Sequence, residues 1–166
     1  MLPYVSSTLS PMAMIGKHIK ELEPDAKVVF IGPCTAKKME IKRETVAPYI
    51  DSAITFEELQ ALLDSREIDI TALEEMPLEN ASYFGRIFAR SGGLTEAVKE
   101  GIKEQGIEDF ELTPVVCDGI EQCKIALLKL RRNMLGGNFV EGMACQGGCV
   151  NGNGCLTHMA KSRMDV

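Results

Sequence analysis

The stretch Lys27-Val28-Val29-Phe30-Ile31, followed by Gly32-Pro33, decides the fold. It is a β-branched run closed by a turn, which reads as a short buried strand. Working outward, Ser10-Pro11 sets an N-cap residue before a proline suited to the first helical position. Met12, Ile15, Ile19 and Leu22 then recur at helical spacing up to Pro24. On the other side, Ala53-Ile54 reads as a second short strand. Thr55 with Glu58 has capping-box spacing and opens a helix through Leu59, Leu62 and Leu63.

Farther along, residues 69–87 carry Pro77 and scattered polar groups, and are expected to form a long loop. Ser91-Gly92-Gly93 precedes a helix through Leu94, Ala97 and Ile102 that Gly106 closes. Residues 110–116 read as a strand. Residues 119–134 give the clearest helix, with Ile120, Cys123, Leu127, Leu130 and Met134 on one stripe, ended by Gly136-Gly137. Phe139-Val140 reads as a strand entering a glycine- and cysteine-rich segment, 145–155. Strands alternating with helices predict an α/β fold, a largely parallel sheet flanked by helices. Ligands of such sheets bind beyond the carboxyl ends of the strands, where both cysteine-bearing segments fall.

Composition limits the function. At 166 residues, one domain or two small lobes are expected. A net charge of −6 leaves little basic surface for phosphate, and the absence of Trp removes stacking platforms, so a nucleic-acid partner is not expected. No apolar run reaches the roughly 18 residues of a membrane span. Residues 1–10 lack the basic and apolar regions of an export signal. Six cysteines in such a chain point to a reducing, cytoplasmic setting, where thiols serve metals or redox chemistry.

Cys145-Gln146-Gly147-Gly148-Cys149 is a C-x-x-x-C segment whose glycines let the backbone curl against a bulky group. Cys34 follows the Gly-Pro turn, and Lys37 lies three residues on, a cation able to stabilise thiolate or donate to an anionic ligand. Thiolates favour zinc or iron–sulfur clusters. No paired C-x-x-C knuckle or histidine pair of a zinc site is present. On spacing alone the trio Cys34, Cys145 and Cys149 is either a ligand set or three inert thiols. Cys123, on the helix stripe, and Cys117, at a strand end, read as core residues. Cys155, among Asn and Gly, carries no assignment.

Together these residues resemble the cluster-binding region of FeFe hydrogenases. Gly32-Pro33-Cys34-Thr35-Ala36-Lys37-Lys38-Met39-Glu40 is similar to the family's second signature, M-P-C-x-x-K-x-x-E. Glu141-Gly142-Met143-Ala144-Cys145-Gln146-Gly147-Gly148-Cys149-Val150-Asn151-Gly152-Asn153-Gly154 is similar to the third, E-x-M-x-C-x-x-x-C-x-x-G-G-G. Ser6-Ser7-Thr8-Leu9-Ser10-Pro11 and Ala89-Arg90-Ser91-Gly92-Gly93 resemble two further shared segments. The resemblance runs from about Pro3 to Gly154.

It implies that Cys34, Cys145 and Cys149 ligate a 4Fe–4S cluster, with Cys149 bridging to a two-iron subcluster that carries cyanide, carbon monoxide and a dithiolate. Lys37 would donate to a cyanide, Met143 would pack beside the subcluster or be a core Met, and Ser6 would be a proton-relay hydroxyl or a local cap. Glu40 and Glu141 would hold loops or be solvated surface carboxylates. Gly32, where catalytic members carry Met, would open space beside the subcluster. The implied reaction is the reversible conversion of H2 to two protons and two electrons, with ferredoxin or a fused signalling domain as redox partner.

The first signature, T-S-C-C-P, is not in the chain. The expectation is a domain over 1–166 truncated on its N-terminal side, inactive alone, its cluster absent or incomplete, with the fourth cysteine upstream of Met1. Asn153 within the glycine triplet and Cys155-Leu156 after it resemble a divergent, sensory branch. Three functions remain open: a hydrogenase, a hydrogen sensor, and an iron–sulfur assembly protein related to hydrogenases.

Overall fold

The computed structural model describes residues 2–77 and 81–158. The elements are α1 (Pro11–Leu22), β1 (Val29–Ile31), α2 (Lys37–Glu40), β2 (Ser52–Ile54), α3 (Phe56–Ser65), α4 (Tyr83–Ile87), α5 (Gly93–Glu104), β3 (Pro114–Asp118), α6 (Ile120–Arg131) and β4 (Phe139–Met143). The chain divides into two units. The N-terminal unit holds Leu2–Glu74 with Asn153–Leu156; the C-terminal unit holds Glu75–Gly152, with Thr157 and His158. The α/β reading holds, but the parallel pairing comes as one two-stranded sheet in each unit.

In the N-terminal unit, Ser10 caps α1 by accepting the Ala13 amide, and Pro11 starts the helix. Thr55 and Glu58 form the expected capping box at α3. The core is Met12, Ala13, Val46 and Ile50, with Leu9, Val28, Phe30, Ile41 and Tyr49 packed on it. The buried face of α1 follows the expected stripe only in part: Met12 is buried and Ile19 half-buried, but Ile15 and Leu22 are exposed, and Ala13 and Gly16 turn inward instead. Small residues let the helix approach the 46–50 segment. A Cβ on Gly16 would stand 2.3 Å from Ile50 Cδ1 and 2.9 Å from the Tyr49 carbonyl oxygen.

β1 pairs in parallel with β2, Phe30 opposite Ala53. Val28 and Phe30 pack on the core while Val29 and Ile31 are exposed, so the strand is covered on one face and not buried throughout. The Asp51 carboxylate fixes its start, accepting the Val28 amide at 2.7 Å and pairing with Lys20 at 3.0 Å. Those two bonds, the Val28 amide first, hold the Asp51 carboxyl down to about 2. Helix α2, absent from the sequence reading, lies between the strands.

Residues 69–87 are not loop throughout, because α4 of the C-terminal unit occupies Tyr83–Ile87 with Ser82 as its N-cap. Strand β3 begins at Pro114, later than expected. The side chain of Asn138 accepts the Thr113 amide at 2.8 Å and donates to the Glu111 carbonyl at 2.8 Å, using backbone the strand would need. β3 and β4 are parallel, with Cys117 opposite Gly142 and Asp118 opposite Met143. On α6 the buried residue is Ala126, and Cys123 and Leu130 are half-buried. Ile120, Leu127 and Met134 of the expected stripe are exposed. As on α1, a small residue sets the contact face.

Gly to Ala inside a helix ordinarily adds up to about 1 kcal/mol. Gly16→Ala is expected to do the opposite and cost about 1–3 kcal/mol through overpacking against Ile50 and Tyr49. The urea midpoint measures the sign.

Candidate functional site

Strand β1 delivers Gly32-Pro33-Cys34, and the Gly32 amide extends the pairing to the Ile54 carbonyl at 3.1 Å. Cys34 then stands half-buried beyond the strand's carboxyl end, where α/β sheets place ligands. The first turn of α2 follows directly and carries Lys37 and Glu40. The Glu40 carboxylate pairs with the Lys37 ammonium through one oxygen and accepts the Ser10 hydroxyl through the other. Burial pushes the Glu40 carboxyl up, but the bonds from Lys37 and Ser10 outweigh it and leave it below its ordinary value. Glu40 thus holds a loop, as expected, tying the α1 cap to α2 and fixing Lys37 three residues from Cys34.

Two residues singled out in the sequence have close neighbours in this unit. A Cβ at Gly32 would lie 2.6 Å from Phe30 Cζ, so the Phe30 ring lies against the glycine. Ser6 is exposed, and its hydroxyl accepts the Thr8 amide at 3.1 Å, the local bond of the capping alternative. Cys155, which the sequence left unassigned, is buried on a segment lying against the Cys34 turn. The Gly154 amide donates to the Pro33 carbonyl at 2.9 Å, and the Phe56 amide donates to the Gly154 carbonyl at 3.1 Å.

The C-terminal unit carries Cys145 and Cys149, both half-buried, just beyond β4. Gly147 and Gly148 take φ of 81° and 99°, a region that favours glycine. The positive φ coincides with close approach, because a Cβ on Gly148 would stand 2.5 Å from both the Ala89 oxygen and the Ser91 nitrogen. The loop is laid on the Ala89–Gly93 turn. Arg90 bridges Gly148, the Ser91 amide donates to the Gly147 carbonyl at 3.1 Å, and the Val150 amide donates to the Ala89 carbonyl at 3.3 Å. Two segments singled out in the sequence for separate reasons are one structural piece.

Two carboxylates hold that piece. Glu141, fully buried on β4, accepts the Gly92 amide at 2.8 Å on one oxygen. Its other oxygen accepts the Thr95 amide at 2.8 Å and the Thr95 hydroxyl at 2.6 Å. It therefore caps the first turn of α5, where the positive end of the helix offsets its charge. Asp118, at the end of β3, accepts the Gly147 amide at 2.6 Å. The sequence reading missed Asp118, since no local spacing announces a bond across 29 residues. Met143 is half-buried at the foot of the loop.

The loop amides of Gly147, Gly148, Val150, Asn151, Gly152 and Gly154 donate to oxygens. Among the described residues no group of three or more His, Cys, Asp or Glu side chains forms a ready metal site. The donor chemistry nevertheless fits an iron–sulfur group. Cys145 and Cys149 are two soft ligands on one tightly held loop, and the buried Ser91 hydroxyl and Asn151 amide oxygen beside that loop lack hydrogen-bond partners. In the N-terminal unit, Cys34 is followed by a fixed ammonium. Cys117 is buried, as expected of a core residue, and burial pushes its thiol up, with Cys123 adding to the shift.

The fold and the paired cysteine loops define a hydrogenase-type α/β domain. The model superposes on an FeFe-hydrogenase structure, HydA(deltaEFG), with a TM-score of 0.68 and 23% identity, covering 98% of this chain and 60% of that one. Residues 1–153 match the family described as iron only hydrogenase large subunit, C-terminal domain, and the chain belongs to that family. It is 30% identical to Iron hydrogenase 1 of Clostridium pasteurianum over 93% of this chain and 34% of the relative. It is also 26% identical to the cytosolic Fe-S cluster assembly factor narfl of Danio rerio, over 93% of this chain and 49% of that protein. The chain therefore spans between a third and a half of these two relatives.

Glu141→Gln presents an amide donor to groups that are themselves donors. It is expected to cost about 2–3 kcal/mol, the scale of hydrogen bonds to a charged group, read from urea unfolding. For Glu40, the folded carboxyl titrates below its unfolded value. Its stabilisation is therefore present above the ordinary carboxylate range and is lost as pH falls through the lowered value. The stability gap between wild type and Glu40→Gln should be widest near neutral pH and close on acidification.

Proposed function

We propose that this chain is the cysteine-bearing part of an iron–sulfur oxidoreductase of the FeFe-hydrogenase type, acting on H2 and protons. Cys34, Cys145 and Cys149 would hold its 4Fe–4S cluster as thiolate ligands, and Cys149 would also serve the two-iron subcluster. When bound, that centre supplies the interconversion of H2 with two protons and two electrons. The chain's own residues hold and orient. Glu40 fixes Lys37 so that its ammonium can donate to an anionic ligand, a charge-assisted bond. Asp118, Glu141 and the Ala89–Gly93 turn keep the Cys145–Cys149 loop in one conformation. Met143, half-buried below that loop, supplies apolar cover. Gly32 contributes backbone to the Cys34 turn, and Ser6 remains the candidate relay hydroxyl. The redox partner is a ferredoxin or a fused signalling domain, and the setting is cytoplasmic. Among the described residues no helix is long and apolar enough to cross a membrane.

The observation that carries this reading is Lys37, fixed by Glu40 three residues after Cys34. A conventional cluster needs thiolates; an ammonium fixed three residues after a cysteine suits a centre with anionic diatomic ligands. The second reading, an assembly factor holding conventional clusters, draws on the relatives that bear that name.

Anaerobic reconstitution of the chain with ferrous iron and sulfide tests the ligand set. Bound iron and sulfide are expected, with a marked loss in Cys34→Ser, Cys145→Ser and Cys149→Ser; the 166-residue chain alone is expected to show no H2 turnover. Infrared bands of metal-bound carbon monoxide and cyanide in the longer, matured protein would favour the hydrogenase reading. Iron and sulfide without those bands would favour the assembly reading.

A further inference from the structure

The ligand set leaves out two thiols that lie together at the foot of the Cys145–Cys149 loop. Cys117 sits on β3, opposite Gly142 of β4. Residues paired in register direct their side chains to the same face of a sheet. At Gly142 that face is marked by a sulfur, since a Cβ built there would stand 3.2 Å from Cys123 Sγ. The thiols of Cys117 and Cys123 thus share the face that α6 covers. Cys123 Sγ lies 3.9 Å from the Cys117 carbonyl oxygen and 3.8 Å from the Met143 carbonyl oxygen. Cys117 is 2% exposed, while Cys123 is half-buried in the first turns of α6.

We infer that Cys117 and Cys123 are a reactive dithiol, a modification site that closes to an intramolecular disulfide under a hydroperoxide oxidant. The step balances in two parts. Cys123, the less buried residue, attacks the peroxide, breaking its O–O bond to give a sulfenic acid and one water. The buried Cys117 thiol then attacks the Cys123 sulfur, forming the S–S bond and releasing the second water. In sum, two thiols lose two hydrogens, and one hydrogen peroxide becomes two waters. A dithiol reductant reverses the bond by exchange.

The position gives the bond a structural reach. Asp118, next to Cys117, holds the Gly147 amide, and Gly119, at the start of α6, donates to the Met143 carbonyl at 2.8 Å. A disulfide between residues 117 and 123 spans that turn.

The test uses the whole chain, reduced and free of metal under anaerobic conditions, then exposed to hydrogen peroxide, quenched, unfolded in denaturant and alkylated before peptide mapping. The expected result is loss of both Cys117 and Cys123 as alkylatable thiols, recovery of a peptide pair joined through them, and return of both thiols after dithiothreitol. In Cys123→Ser, Cys117 should remain an alkylatable thiol after the same treatment, because burial shields it. The inference is overturned if wild-type Cys117 stays alkylatable, if Cys123 advances to sulfinic acid unlinked, or if either sulfur joins a different cysteine. No metal is involved, so failure here is separate from failure of the ligand set proposed above.

Discussion

The C-terminal unit depends on a carboxylate placed where water does not reach. Glu141 would be costly to bury as an isolated charge. Two amides and a hydroxyl from the start of α5 supply what solvent would have given, and the helix end adds favourable potential. The bond fixes more than one side chain. It locks β4 to the turn before α5, and that turn is the bed on which the cysteine loop lies. Neither the Ser91 amide nor the Ala89 carbonyl could meet the loop if the turn drifted from the strand.

The N-terminal unit uses the same device in a wetter setting. Glu40 bridges the cap of α1 and the ammonium of Lys37, so a carboxylate again joins two segments that flank a cysteine. Unlike Glu141 it is partly exposed and has a cationic partner, and its proton affinity falls accordingly. One carboxylate is neutralised by a helix end and the other by a lysine.

Local signals in the sequence were reliable where the physics is local. Ser10-Pro11 and the Thr55–Glu58 box stand where their spacing put them, because a cap needs only its own next turn. The two cysteine segments and the Ala89–Gly93 turn were legible as motifs, since each is contiguous. The packing faces of α1 and α6 were not. Choosing the largest apolar residues pointed to Ile15, Leu22, Leu127 and Met134, whereas close approach selected Gly16 and Ala126. Size predicts how much area a residue could bury; the distance between backbones decides which residues are allowed to. The bonds of Asp118 and Asn138 were illegible because each joins residues far apart in the chain.

The late position of Asn153–Leu156 has a consequence for how the chain is made. These residues belong to the N-terminal unit, and Gly154 bonds to Pro33 and Phe56. A ribosome releases Leu2–Glu74 of that unit well before this closing segment, which follows only after all of Glu75–Gly152 has emerged. The Cys34 turn is therefore made before the backbone that finally lies against it. Synthesis from the N-terminal side separates the making of this turn from its closing by the whole of the other unit.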